Sequence, residues 1–158
     1  MSITSTAAIA WPQDPAFDAT DEEVEQCAAE MVNDMGAWRK LRIKEGEQPT
    51  VFVIGVVPPS ILTQYEDQCS IGKIFPHEQV LHWLCFKRGV VGVSGYPPEW
   101  LYNIEEVPTT DPGNGLPKHV KSVWLEKHFN GPLRQCALFV GMAVYRFQDL
   151  AGAEVKNS

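Results

Sequence analysis

Apolar positions early in the chain recur at a helical period. Val24, Ala28, Met31, Met35 and Trp38 step by four, three, four and three residues, which keeps one stripe aligned over about four turns. Thr20 and Glu23 have capping-box spacing, and Asp21, Glu22 and Glu23 place negative charge at the positive end of the macrodipole. A helix is therefore predicted to begin near Thr20, with Arg39, Lys40, Arg42 and Lys44 beyond its far end. Ahead of it, residues 1–19 contain Pro12 and Pro15 and few strong formers of either structure. They read as a flexible N-terminal arm preceding one globular domain over residues 20–158.

The rhythm then changes. Thr50–Val57 is a β-branched and aromatic run that predicts a strand buried on both faces or at a sheet centre, and Pro58 and Pro59 stop it. Short helices are predicted over Pro59–Cys69 and Pro76–Arg88, the second ending where Gly89 can serve as a C-cap. Val90, Val91 and Val93 suggest a second strand, while Tyr96–Pro98 and Asp111–Gly115 mark exposed connections. Helical patterning returns from Pro117 to Phe129, breaks at Asn130-Gly131-Pro132 and resumes to about Leu150. The predicted fold is α+β: a mainly helical single domain with a small β-sheet and a C-terminal helical hairpin or kinked pair.

Composition narrows the classes. The 158 residues hold 20 acids against 13 bases, a net charge of −7. Residues 1–50 carry 10 of the acids and only 4 of the bases, so the acidity is an N-terminal property. Such a balance argues against nucleic-acid binding, which needs cations to displace phosphate counterions. The longest apolar run, Cys136–Tyr145, is about half a bilayer span, so no membrane anchor is expected. Met1–Ala10 lacks the pattern of an export signal. Cys27, Cys69, Cys85 and Cys136 are scattered over apolar faces and read as free thiols in a reducing, cytoplasmic setting.

Candidate chemistry is sparse. His77 and His82 are five apart, which turns the second imidazole about 140° from the first on a regular helix and prevents joint metal ligation. Glu78, His82 and Cys85 share one face and define a small metal-dependent hydrolase as an alternative, against the simpler reading of a solvated helix face. Gly92-Val93-Ser94-Gly95 approaches a nucleophile elbow, but Tyr96, Pro97 and Pro98 oppose the helix that must follow Ser94. Gly89, Gly92 and Gly95 lack the order of a phosphate cradle. The adjacent acids Glu66-Asp67 and Glu105-Glu106 diverge on regular structure. No catalytic residue, metal or cofactor is assigned. The surface candidates are the Val24, Met31, Met35 and Trp38 stripe, Trp11 on the arm and Trp100 in the loop-rich middle, because methionine and tryptophan are favoured at contact surfaces.

Thr50–Cys69 (TVFVIGVVPPSILTQYEDQC), His77–Val93 (HEQVLHWLCFKRGVVGV), the apolar late helix and the closing Ala153–Ser158 (AEVKNS), taken in that order, resemble the small tail-assembly proteins of long-tailed bacteriophages. The resemblance implies a non-enzymatic assembly factor or chaperone of virion morphogenesis. Such a protein shields the tape-measure protein or delivers tail-tube subunits in the host cytoplasm. The proline-rich acidic arm departs from that pattern and leaves chaperone and virion component both open. A further alternative is an acidic inhibitor of a basic host protein.

Overall fold

The structure, a computed structural model, describes residues 6–70, 78–95, 107–111 and 118–157. It is an α+β fold, mainly helical, built on a small antiparallel sheet. The sheet comprises β1 (Thr6–Ala10), β2 (Val51–Gly55) and β3 (Val90–Ser94), with β2 in the centre. Registers run Ile9 opposite Phe52 and Phe52 opposite Val93, and a bulge interrupts β2/β3 between Val53 and Ile54. Phe52 and Ile54 are fully buried, whereas Val51 and Val53 are half-buried. The apolar run therefore marks a sheet centre, and it is covered more completely on one face than on the other.

The helices are α1 (Asp21–Glu30), α2 (Pro59–Ser70), α3 (Glu78–Gly89), α4 (Ser122–Phe129) and α5 (Arg134–Asn157). A two-stranded ribbon, β4 (Thr109–Thr110) with β5 (His119–Val120), precedes α4. Pro59 opens α2 where a backbone N–H would have no intrahelical acceptor, and the preceding Pro58 carbonyl accepts from Ile61 N and Leu62 N at 3.0 Å. Phe52 of β2, Phe86 of α3 and Phe129 of α4 meet in a tilted triangle with centroids 5.4 to 6.0 Å apart. These edge-to-face contacts join the sheet to two helices. α4 and α5 follow one another across the Asn130–Leu133 break, and α5 runs on alongside α3.

From Thr6 onward the N-terminal segment belongs to the sheet and core, where an arm was expected. Thr6–Ala10 pairs with the whole of β2, and Ile9, Ala10, Ala16 and Phe17 are buried. The buried Asp14 holds the next stretch: Oδ1 accepts from Ala16 N and Oδ2 from Thr50 N, each at 2.8 Å. Asp18 N donates to Arg42 O and Lys44 N to Ala16 O, both at 2.8 Å. The prolines that suggested looseness shape a turn whose backbone donors find fixed acceptors instead of water.

α3 and α5 approach unusually closely. Gly141 lies against the His82 backbone carbonyl, and Gly89 against the Val144 side chain. A β-carbon at Gly141 would enter the space of that carbonyl, and backbone cannot rotate away. Gly141→Ala is therefore expected to destabilise the fold by about 1–3 kcal/mol, despite the ~1 kcal/mol that alanine gains over glycine in a helix interior. Gly92→Ala, facing Val53 Cβ at 3.7 Å, stays within about 1 kcal/mol of the parent. Urea midpoints of the two variants check the contrast.

Candidate interaction surface

The expected N-terminal helix forms, but it is short. Its capping box is complete: Glu23 N donates to Thr20 Oγ1 at 3.2 Å, and Thr20 N donates to Glu23 Oε1 at 3.1 Å. The Thr20 hydrogen bonds hold the Glu23 carboxyl below its ordinary pKa. α1 stops at Glu30, with Met31 as its C-cap, because Asn33, Asp34 and Gly36 form a turn in which Asp34 Oδ1 accepts from Gly36 N at 3.0 Å. Ala37–Lys40 then makes a single 3-10 turn. Asn-Asp followed closely by glycine is turn chemistry, and that signal should have cut the predicted stripe.

The break redistributes the contact candidates. Met31 and Trp38 are 5% and 8% exposed and belong to the core. Met31 and Met35 line a narrow cavity together with Ile9 of β1 and Phe139, Met142 and Ala143 of α5. Trp38 stacks obliquely on Phe17, its Nε1–H donates to Ala8 O at 2.9 Å, and the Arg39 guanidinium lies 4.7 Å from its ring centre. Trp11 is half-buried against the same core. Of the apolar stripe only Val24 borders an open cleft. Trp100 lies outside the described residues. Met31 and Trp38 are thus core residues and offer no surface to a partner, while Val24 and Met35 are half-buried.

The polar side of α1 remains in solvent. Asp21, Glu22, Glu23 and Glu25 are exposed, and α1 contains no base. A cleft of about 480 Å³ lies on one flank, lined by Pro12, Phe17, Asp21, Val24 and Glu25 among others. On the other flank a shallower one of about 420 Å³ runs past Glu22, Glu23, Gln26 and Glu30 to Lys40 and Leu41. Two pairs, Lys40–Glu30 at 3.7 Å and Arg42–Asp18 at 3.8 Å, join this face to its neighbours. Both are largely exposed and contribute little to stability.

The face proposed for metal chemistry does not assemble. Glu78 is exposed, His82 half-buried and Cys85 fully buried. Burial pushes the Cys85 thiol up to about 12, aided by Cys69 and Glu66, the reverse of what a ligating or nucleophilic thiolate requires. His82 instead packs its ring 6.3 Å from that of Tyr145, whose hydroxyl donates to Glu66 Oε2 at 3.0 Å. Among the described residues, no group of three or more His, Cys, Asp and Glu side chains is placed to hold an ion. His77 lies outside the described residues. Cys27, Cys69, Cys85 and Cys136 are free and buried. Ser94 ends β3 in solvent, next to Gly95 at φ 71°, where a β-carbon would stand 2.6 Å from Pro49 O. The positive φ and the closeness of Pro49 O account for a glycine at this position.

Two polar residues went unnoticed in the sequence. Asp14 sits in a Gln-Asp-Pro turn, a turn signal whose buried acceptors no pattern announces. Arg88 falls on the Leu81, Cys85, Arg88 spacing of the buried side of α3 and is itself 8% exposed. That register could have distinguished it from a base on the solvated side of a helix end. No helix among the described residues is long and apolar enough to cross a membrane. Comparison with protein-family models, with curated proteins and with solved structures finds no match to this chain.

Two measurements test this placement. Trp38→Ala should lose about 3–5 kcal/mol of stability in chemical denaturation, as a buried ring does and an exposed contact residue does not. Burial also holds His82, His119 and His128 below the ordinary histidine pKa. The unfolded chain therefore binds more protons than the native one as pH falls through the unfolded histidine value of about 6.5. Stability should decline between pH 7.5 and 5.5, and His119→Asn should flatten that slope in urea titrations at the two pH values.

Proposed function

We propose that this protein is a non-enzymatic protein-binding assembly factor that presents the acidic side of α1 to a basic segment of its partner. One observation carries the reading. Four exposed carboxylates, Asp21, Glu22, Glu23 and Glu25, stand on a helix without a base, between two open clefts. Opposed charge of this kind accelerates encounter and sets specificity. With Met31 and Trp38 committed to the core, recognition is led by charge and not by an apolar shield. The resemblance to phage tail-assembly proteins supports a tape-measure or tail-tube protein as that partner, met in the host cytoplasm. The same face supports a second reading, inhibition of a basic host protein.

Co-expression with the tape-measure and tail-tube proteins of the genome that encodes this chain tests the proposal. Soluble client should be recovered with the protein, with affinity falling as salt rises. The triple variant Asp21→Asn, Glu22→Gln, Glu25→Gln, which spares the capping-box Glu23, should bind roughly tenfold more weakly. A client equally soluble without the protein overturns the assembly role. Affinity indifferent to salt and to the triple variant overturns the acidic face.

A further inference from the structure

The last turn of α3 holds a buried cation with an unmet hydrogen-bonding requirement. Arg88 is 8% exposed, and its Nη2 has no hydrogen-bond partner among the described residues. None of the ion pairs found there involves it. α2 and β5 pack against α3, and the electrostatic neighbours of Arg88 are the Tyr65 phenol of α2 and the His119 ring of β5. Neither neighbour brings a negative charge. Burial pushes the Tyr65 phenol up and the His119 imidazole down, each toward its uncharged form. A guanidinium retains its charge at any physiological pH and carries five N–H donors in a rigid plane. The carbonyl end of α3 offsets part of that charge. Nη2 still needs an oxygen within reach, since buried donors are rarely left without one.

We propose that Arg88, with Tyr65 and His119, forms an oxyanion site at the junction of α2, α3 and β5, fitted to a phosphate group. The guanidinium fork matches two phosphate oxygens, and the phenolic O–H is a further donor. His119 selects among oxyanions. Its Nδ1–H donates to Val120 O at 2.8 Å, so Nε2 of the neutral ring is an acceptor. Inorganic phosphate near neutral pH keeps an O–H to give to that nitrogen, whereas a carboxylate has none. Tyr65 is half-buried, so the α2 side of the junction borders solvent, while Nη2 itself is enclosed and is reached by local displacement of the side chains over it. This site is independent of the α1 face and of the partner proposed for it.

Thermal melts at pH 7 in inorganic phosphate, set against sodium chloride of matched ionic strength, test the site. Phosphate should raise Tm by roughly 5 °C with a saturating dependence, and sodium acetate should raise it less. Arg88→Gln should abolish the phosphate increment. Calorimetric titration of the unsubstituted protein gives the same answer if the variant does not fold. A phosphate response no larger than that to chloride, no heat of binding to the wild-type chain, or a response that survives Arg88→Gln overturns the proposal.

Discussion

The close packing of α3 on α5 is the constraint on which the rest of the molecule depends. Gly141 lets one backbone rest on the carbonyl of His82, and Gly89 leaves room for Val144. That proximity carries Phe86 to Phe52 and Phe129, so sheet and helices share one aromatic centre. Gln148 of α5 extends the same docking to the chain leaving β2: its Oε1 accepts from Val57 N at 2.9 Å. Apolar burial is non-directional. What gives this core a single arrangement is the pair of places where only a hydrogen fits.

Around that centre the charges are divided by depth. The carboxylates of α1 lie in water beside open clefts, while Asp14 and Arg88 are enclosed. Asp14 is answered by two backbone donors and thereby joins the first residues to the start of β2. Arg88 has no such answer among the described residues. A buried carboxylate surrounded by N–H groups is a structural device, whereas a buried guanidinium facing a phenol and an imidazole leaves a position for an anion.

Much of the fold was legible because local signals agreed with tertiary ones. The Thr20–Glu23 cap, the Thr50–Val57 strand, proline at the head of α2 and glycine closing α3 all appear within a few residues of their expected places. Where the reading failed, two local signals competed. The four-three stripe from Val24 to Trp38 outweighed Asn33, Asp34 and Gly36, although one turn suffices to split a helix while leaving both halves facing the same core. Pro12 and Pro15 suggested looseness, but the pairing of β1 and the grip of Asp14 depend on residues some forty positions away. The exposed acids of α1 were legible from composition. The burial of Arg88 was signalled only by its register with Leu81 and Cys85, against the ordinary rule that charge marks solvent.

The bond between Gln148 and Val57 spans 91 residues, which sets an order of events during synthesis. α5 leaves the ribosome after β2 and α3, so the cover it gives their apolar surfaces is missing until it does. A nascent chain halted before α5 exposes Phe52, Phe86 and Ile54 together, a species that chaperones retain or that aggregates. Productive folding of this protein is therefore completed only once α5 has emerged, and the nascent chain is most prone to aggregate in the interval before that.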